Sequence, residues 1–305
     1  MKGKKCMVTG GLGFIGSKVV QKLVGCGVES IVLIDNIIVS DYSQDVSEPM
    51  FLSACVSEGI VKDGLDYIFH FASPCSVLQY NENPVESLRQ TVEGFCNVLE
   101  LAKMTGARLI FPSSGNVYGY TKPPHNELSR LNPNNLYGMG KVICEKIANE
   151  SDVESIAVRL FTGYGNGEEK KGRLSSVICQ FLQVIMRGEN PVIWGDGKQT
   201  RDCIYIEDVA KALVDLAKNP DIPEVINLGT GKSYSYLDII ATIGTILKKN
   251  VIIEYVDKPS GYVDCAQADI QTMSRYIDFV PIDLAEGIQR FYDYLVGVED
   301  GRKNN

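Results

Sequence analysis

Tyr137 and Lys141 stand four residues apart in Tyr137-Gly138-Met139-Gly140-Lys141, at the start of a helical pattern. On a helix that spacing puts both side chains on one face, a turn apart. An ammonium beside a phenol favours the phenolate and lowers its pKa toward neutrality. The pair therefore offers a general base that needs no histidine. The chain has only two histidines, His70 and His125. A multi-histidine metal site is excluded on that count, and no metal is expected. Ser114, in Ser113-Ser114-Gly115-Asn116-Val117-Tyr118-Gly119, directly follows an apolar run. A hydroxyl at that strand end can hydrogen-bond the oxygen whose proton Tyr137 takes.

A second constellation lies near the N-terminus. Gly10, Gly13 and Gly16 in Thr9–Gly16 follow a short apolar run and open a helical pattern. Gly10 permits a tight turn, Gly13 lets backbone approach a pyrophosphate, and Gly16 lets helix pack on sheet. The helix N-terminus presents free N–H groups to phosphates. Asp35 follows about 20 residues later, where a carboxylate takes the adenine-ribose hydroxyls. It would repel a 2′-phosphate, and no arginine stands beside it, so the cofactor expected is NAD rather than NADP.

These residues need a sheet to hold them. Apolar runs at Cys6–Val8, Ile31–Ile34, Tyr67–Phe71, Arg108–Pro112 and Ser155–Leu160 alternate with helical patterns at Phe14–Val24, Val85–Met104 and Tyr137–Asn149. That alternation predicts an α/β fold: a Rossmann-type doubly wound parallel sheet covered by helices on both faces. Residues 1–160 are expected to form the NAD-binding domain. Residues 161–305 are expected to form mainly a smaller C-terminal α/β substrate lobe, with some later segments returning to the sheet. Helices are expected there at Leu174–Arg187, Ile206–Lys218 and Tyr236–Leu247.

Composition bounds the remainder. The chain has 305 residues, 45% hydrophobic and 22% charged, with 30 Lys+Arg against 38 Asp+Glu. The net charge of −8 argues against nucleic acid or an anionic membrane as partner. No apolar stretch of about 18 residues occurs, so no membrane span is expected. Nine cysteines without a C-x-x-C pair read as reduced thiols in a cytoplasmic protein.

Together these motifs resemble the extended short-chain dehydrogenase/reductase proteins, the NAD-dependent nucleotide-sugar epimerase/dehydratase family that includes UDP-glucose 4-epimerase. The resemblance spans nearly the whole chain. It takes in Phe69–Pro74, Arg159–Gly165, Trp194–Asp202, Tyr205–Val209 and Asn227–Gly231. It implies a nucleotide-sugar substrate and a catalytic set of Ser114, Tyr137 and Lys141. It implies cofactor contacts from Gly10, Gly13, Phe14, Ile15, Gly16, Asp35, Asn36, Phe71, Ala72, Ser73, Ser113, Tyr137, Lys141 and Phe161. It implies substrate contacts from Ser114, Gly115, Asn116, Thr162 and Arg201. A homodimer through the helices Val85–Met104 and Tyr137–Asn149 is also implied.

The positions after Ser114 sort the chemistry. Dehydratases of the family carry an acid pair there, and decarboxylases a glutamate at the second position. Gly115 and Asn116 cannot shuttle a proton, which favours a C4 epimerase. A dehydrogenase or 4-keto reductase and a UDP-glucuronate decarboxylase-like enzyme are the alternatives, the latter because Phe71-Ala72-Ser73-Pro74 is decarboxylase-like. A non-catalytic NAD-binding protein is the alternative outside enzymology. Departures from the family pattern fall at Thr162 for Asn, at Gly140 for Ser or Ala, at Cys55 for the adenine-binding Asp, and at Asp264 for a phosphate-binding arginine. Elsewhere, His70 reads as buried and His125 as solvent-exposed. Trp194 reads as packed under the 160–200 loop or flanking a base, and Tyr164 as a structural corner or a base stack. The charged run at residues 168–173 reads as a solvated loop, with Arg173 reaching a phosphate as the sharper alternative. The cysteines read as packing groups.

Overall fold

A computed structural model describes residues 1–35, 64–258 and 262–303. The proposed contacts of Asn36 and Cys55 lie outside the described residues. The first half runs β1 (Lys5–Thr9), α1 (Phe14–Gly25), β2 (Ser30–Ile34), β3 (Tyr67–His70), α2 (Val77–Glu82), α3 (Pro84–Thr105), β4 (Arg108–Ser114), α4 (Leu136–Asn149) and β5 (Ser155–Leu160). The second runs β6 (Thr162–Tyr164), α5 (Val177–Met186), β7 (Val192–Trp194), β8 (Thr200–Arg201), β9 (Cys203–Tyr205), α6 (Ile206–Lys218), β10 (Val225–Leu228), β11 (Tyr234–Ser235), α7 (Tyr236–Leu247), β12 (Glu254–Val256), α8 (Gln271–Tyr276) and α9 (Leu284–Lys303).

Among the described residues six strands form one parallel sheet in the order β10-β5-β4-β3-β1-β2. Alternate residues point to opposite faces. Cys6, Val8, Phe69 and Ile110 join one buried cluster with α1 and α6, while Met7, Ile68, Leu109 and Phe111 join another with α3 and α4. With both faces covered, the strands read as unbroken apolar runs. Outside this sheet, α5, α7 and α9 bury their own cluster around Ile178, Leu182, Ile239, Ile288 and Phe291.

Local signals fix the helix ends. Pro84 occupies the first turn of α3, and Gly106 closes that helix with φ 71°. The Asn135 side chain caps α4 by accepting from the Gly138 N–H at 2.8 Å. Ser235 and Asp238 form a reciprocal capping box on α7. Because β1 is flanked by β2 on one side and β3 on the other, the chain reverses direction across the sheet at β1. A crevice opens there, outside the carboxyl ends of the strands.

Candidate active site

A cleft of about 680 Å³ occupies this crevice. Its floor comes from the strand ends. Gly10 turns at φ 67°, and a Cβ there would meet the Phe71 carbonyl carbon and the Ala72 nitrogen at 2.7 Å. Only glycine allows that close approach. A Cβ on Gly16 would lie 2.1 Å from the Gly10 carbonyl oxygen, so α1 packs directly on the loop. Gly13 precedes α1 as its cap with no side-chain bond, leaving the first-turn N–H groups toward the cleft. Phe14, Ile15 and Asp35 line the same end. The Asp35 carboxylate accepts the Leu12 N–H at 2.9 Å, which fixes it against the glycine loop. This backbone cradle and its carboxylate fit the pyrophosphate and ribose of NAD.

The opposite end carries the residues expected to do acid–base chemistry. Ser113 and Ser114 end β4, and Tyr137 and Lys141 begin α4. All four line the cleft with Phe71, Ala72, Ser73 and Phe161. Ser114 Oγ accepts the Asn116 N–H at 3.1 Å and the Asn116 Nδ2–H at 3.2 Å. Its own O–H is left to donate, and it stands on the Tyr137 side of the cleft. Lys141 is buried, donates to Ser73 Oγ at 3.2 Å, and stands 5.8 Å from the Tyr137 ring centre. The ring meets Tyr80 of α2 edge-on at 5.6 Å.

Burial acts on both members of the pair. Desolvation in the cleft pushes the Tyr137 phenol up, and the nearby Ser114 hydroxyl pulls it back only in part. The same desolvation pushes Lys141 down. Lys141 lies over the Tyr137 ring, 5.8 Å from its centre, with its ammonium bonded to Ser73 Oγ.

Behind Ser114 a buried network ties β4 to α4. Glu145 accepts from Ser113 Oγ and pairs with Arg159 through Nε at 3.0 Å and Nη2 at 2.7 Å. Arg159 Nη1 donates to the Tyr118 hydroxyl and to the Glu127 carbonyl, each at 3.0 Å. Tyr118 donates to Asn227 on β10 at 2.7 Å. The fully buried Asp202 accepts from Thr230 N and Oγ1, Gly231 N and Ala268 N. Two distant sequence motifs are thereby one structural clamp.

Gly115, Asn116, Thr162 and Arg201 also line the cleft. The Asn116 side chain turns back on Ser114. Arg201 lies over Tyr236 and Tyr262, and donates to the carbonyls of Thr200, Val263 and Asp264. Asp264 pairs with Lys258 at 2.6 Å, while its neighbours Val263 and Cys265 line the cleft. Gly140 is explained by packing: a Cβ would lie 3.2 Å from the Tyr80 hydroxyl and 3.3 Å from Leu88.

Several expectations are overturned. His125 is buried, not exposed, because its ring stacks on Tyr118 at 4.5 Å and its backbone bridges to Ala268. Trp194 is about half exposed and meets Tyr262 edge-on at 5.5 Å, rather than lying under the 160–200 loop. The run at 168–173 forms a short 3₁₀ segment in which Lys170, Gly172 and Arg173 are exposed as read, while Glu168 is fully buried. Arg173 reaches Glu82 instead of a phosphate. Tyr164 is buried and structural, packed on Tyr205. His70 is buried as read, bonded to Thr9 Oγ1 at 2.8 Å. Cleft residues that motif reading missed include Cys75, Gln79, Glu168 and Lys171. Nothing in their spacing marks them, since each comes from a loop or short helix that only packing brings to the cleft.

The sequence profile described as the NAD dependent epimerase/dehydratase family matches residues 6–229. A UDP-glucuronic acid decarboxylase 1 from Arabidopsis thaliana is 30% identical, across 99% of this chain and 73% of that protein. A putative UDP-glucose 4-epimerase from Methanocaldococcus jannaschii is 32% identical, across 95% and 97%. Among solved structures, a UDP-N-acetylglucosamine 4-epimerase from Methanobrevibacter ruminantium M1, in complex with UDP-N-acetylmuramic acid, superposes with a TM-score of 0.87. It is 28% identical and covers 98% of this chain and 100% of that one. Among the described residues no helix is long and apolar enough to cross a membrane, and no cluster of His, Cys, Asp or Glu could hold a metal ion.

Proposed function

The chain belongs to the NAD dependent epimerase/dehydratase family, and from that premise we propose that it is a nucleotide-sugar 4-epimerase. The observation that carries this reading is the cleft's acid–base set. Ser114, Tyr137 and Lys141 meet at one end, and the positions beside Ser114 hold Gly115 and Asn116. Elimination and decarboxylation in this family use a carboxylate there, and this chain has none at either position.

NAD held at the glycine loop supplies a hydride acceptor for the sugar's carbinol carbon. Tyr137 takes the hydroxyl proton. Ser114, fixed by two bonds from Asn116, donates to the same oxygen and orients it. Lys141, bonded to Ser73, would hold the cofactor's ribose end beside Tyr137. For inversion, the ketosugar would turn its other face to the reduced cofactor, from which the hydride would return to the same carbon while Tyr137 returned the proton to its oxygen. Residues 161–305 outside the sheet supply the sugar and nucleotide side of the cleft through Thr162 and Arg201. The protein acts in the cytoplasm as a homodimer. Exposed Leu136, Met139 and Ile143 on α4 and Val85 on α3 support the dimer.

The test is mass spectrometry of the copurifying nucleotide, followed by a nucleotide-sugar panel read by NMR. Interconversion of C4 epimers without net NADH is expected. A protein that carries NAD but interconverts no sugar overturns the proposal. A second reading rests on the decarboxylase-like Phe71-Ala72-Ser73-Pro74 segment. Release of carbon dioxide from UDP-glucuronate would select it.

A further inference from the structure

Among the described residues three cationic side chains line the cleft: Lys141, Arg201 and Lys171. The first two have roles above. Lys141 stands at the Tyr137 end, and Arg201 spends Nη1 and Nη2 on three backbone carbonyls. Lys171 is unassigned. It comes from the 3₁₀ segment Glu168–Leu174, yet its ammonium lies 5.3 Å from the ring centre of Phe14, the first residue of α1. It thus faces the helix end whose N–H groups open on the cleft.

Its surroundings suit a cation held ready for an anion. The nearest carboxylate oxygen, Glu168 Oε1, is 3.8 Å away, and the lysine side chain is 27% exposed. Glu168 is already engaged: it accepts the Ser176 N–H at 2.7 Å and the Ser176 hydroxyl at 2.8 Å. Burial also pushes that carboxyl up, which weakens its claim on the ammonium. Asp264, where the family pattern has a phosphate-binding arginine, pairs with Lys258 and supplies no positive charge.

We infer that Lys171 binds a pyrophosphate from the wall opposite the glycine loop, with Glu168 and Phe14 holding it in place. The inference rests on the reading of the cleft as a site for NAD and a nucleotide diphosphate. Both ligands carry the same pyrophosphate chemistry, so the test has an arm for each. The full-length Lys171→Met and Lys171→Arg variants are titrated calorimetrically with NADH and with UDP. AMP and UMP, which lack the pyrophosphate, serve as controls. A charge-assisted bond lost at this position is expected to weaken binding about tenfold. Lys171→Arg should stay within about threefold of the parent. A loss confined to NADH assigns the lysine to the cofactor, and one confined to UDP assigns it to the substrate. Affinities within about twofold in both arms, or equal losses for AMP and UMP, overturn the inference. A parent protein that binds NADH but not UDP sinks the nucleotide-sugar reading, and the NADH arm then decides Lys171 alone. One that binds neither sinks both. Lys171→Gln replaces the methionine variant if that variant fails to fold.

Discussion

Removing one charge from the Glu145–Arg159 pair should be costly, and the structure sets the scale. Both side chains are almost fully buried, at 6% and 5% exposure. Glu145→Ala deletes the acceptor for Arg159 Nε and Nη2 and for Ser113 Oγ. Arg159 keeps only neutral acceptors, Tyr118 and the Glu127 carbonyl, for a charge that water cannot reach. Breaking a buried pair from one side costs about 3–5 kcal/mol. For a chain of this size, about 2 °C per kcal/mol converts that to a melting-temperature fall of about 6–10 °C. Glu145→Leu combined with Arg159→Met removes both charges, so no ion is left uncompensated. That double variant should recover most of the loss, although each change alone is damaging. Scanning calorimetry on the parent, Glu145→Leu, Arg159→Met and the double gives the coupling energy directly. The reasoning fails if Glu145→Ala melts within 2 °C of the parent, or if the double variant is less stable than both singles.

Tyr137→Phe should cut turnover about 10²–10⁴-fold while NADH affinity stays within about threefold, measured by NMR turnover and fluorescence titration. Gly10→Ala forces a Cβ onto the Phe71–Ala72 backbone at a left-handed φ, so NADH binding should be lost or the chain should melt earlier. Burial depresses His125 to about 4 and His70 to about 3. The folded state then binds fewer protons than the unfolded chain below about pH 6.5, so stability present at pH 7 is lost as pH falls. Each histidine removes about 2 kcal/mol by pH 5, and His125→Gln should flatten the melting-temperature slope between pH 7 and 5. Met139→Glu with Ile143→Glu should convert a dimer to a monomer in light scattering, and a parent that is already monomeric refutes that interface.

How much was legible follows from which signals are local. The glycine spacing, the Tyr137–Lys141 step and the apolar runs are short-range patterns. They mark a turn, one helix face and buried parallel strands, because chain geometry alone enforces those periods. Helix bounds at Ile206–Lys218 and Tyr236–Leu247 were readable for the same reason. His125 was misread because Lys122-Pro123-Pro124 signals a loop, while the ring's burial depends on Tyr118 and Ala268, the latter more than 140 residues away. Glu168 and Lys171 looked solvated in a run of charges, and only the packing of that segment against Ser176 and Phe14 turns them toward the cleft. The sequence by itself determined the sheet, the glycine loop and which residues are candidates for acid–base chemistry, since each is written within a few turns of chain. The tertiary structure decided desolvation, charge pairing and which remote side chains share the cleft, since those depend on contacts that no local pattern encodes.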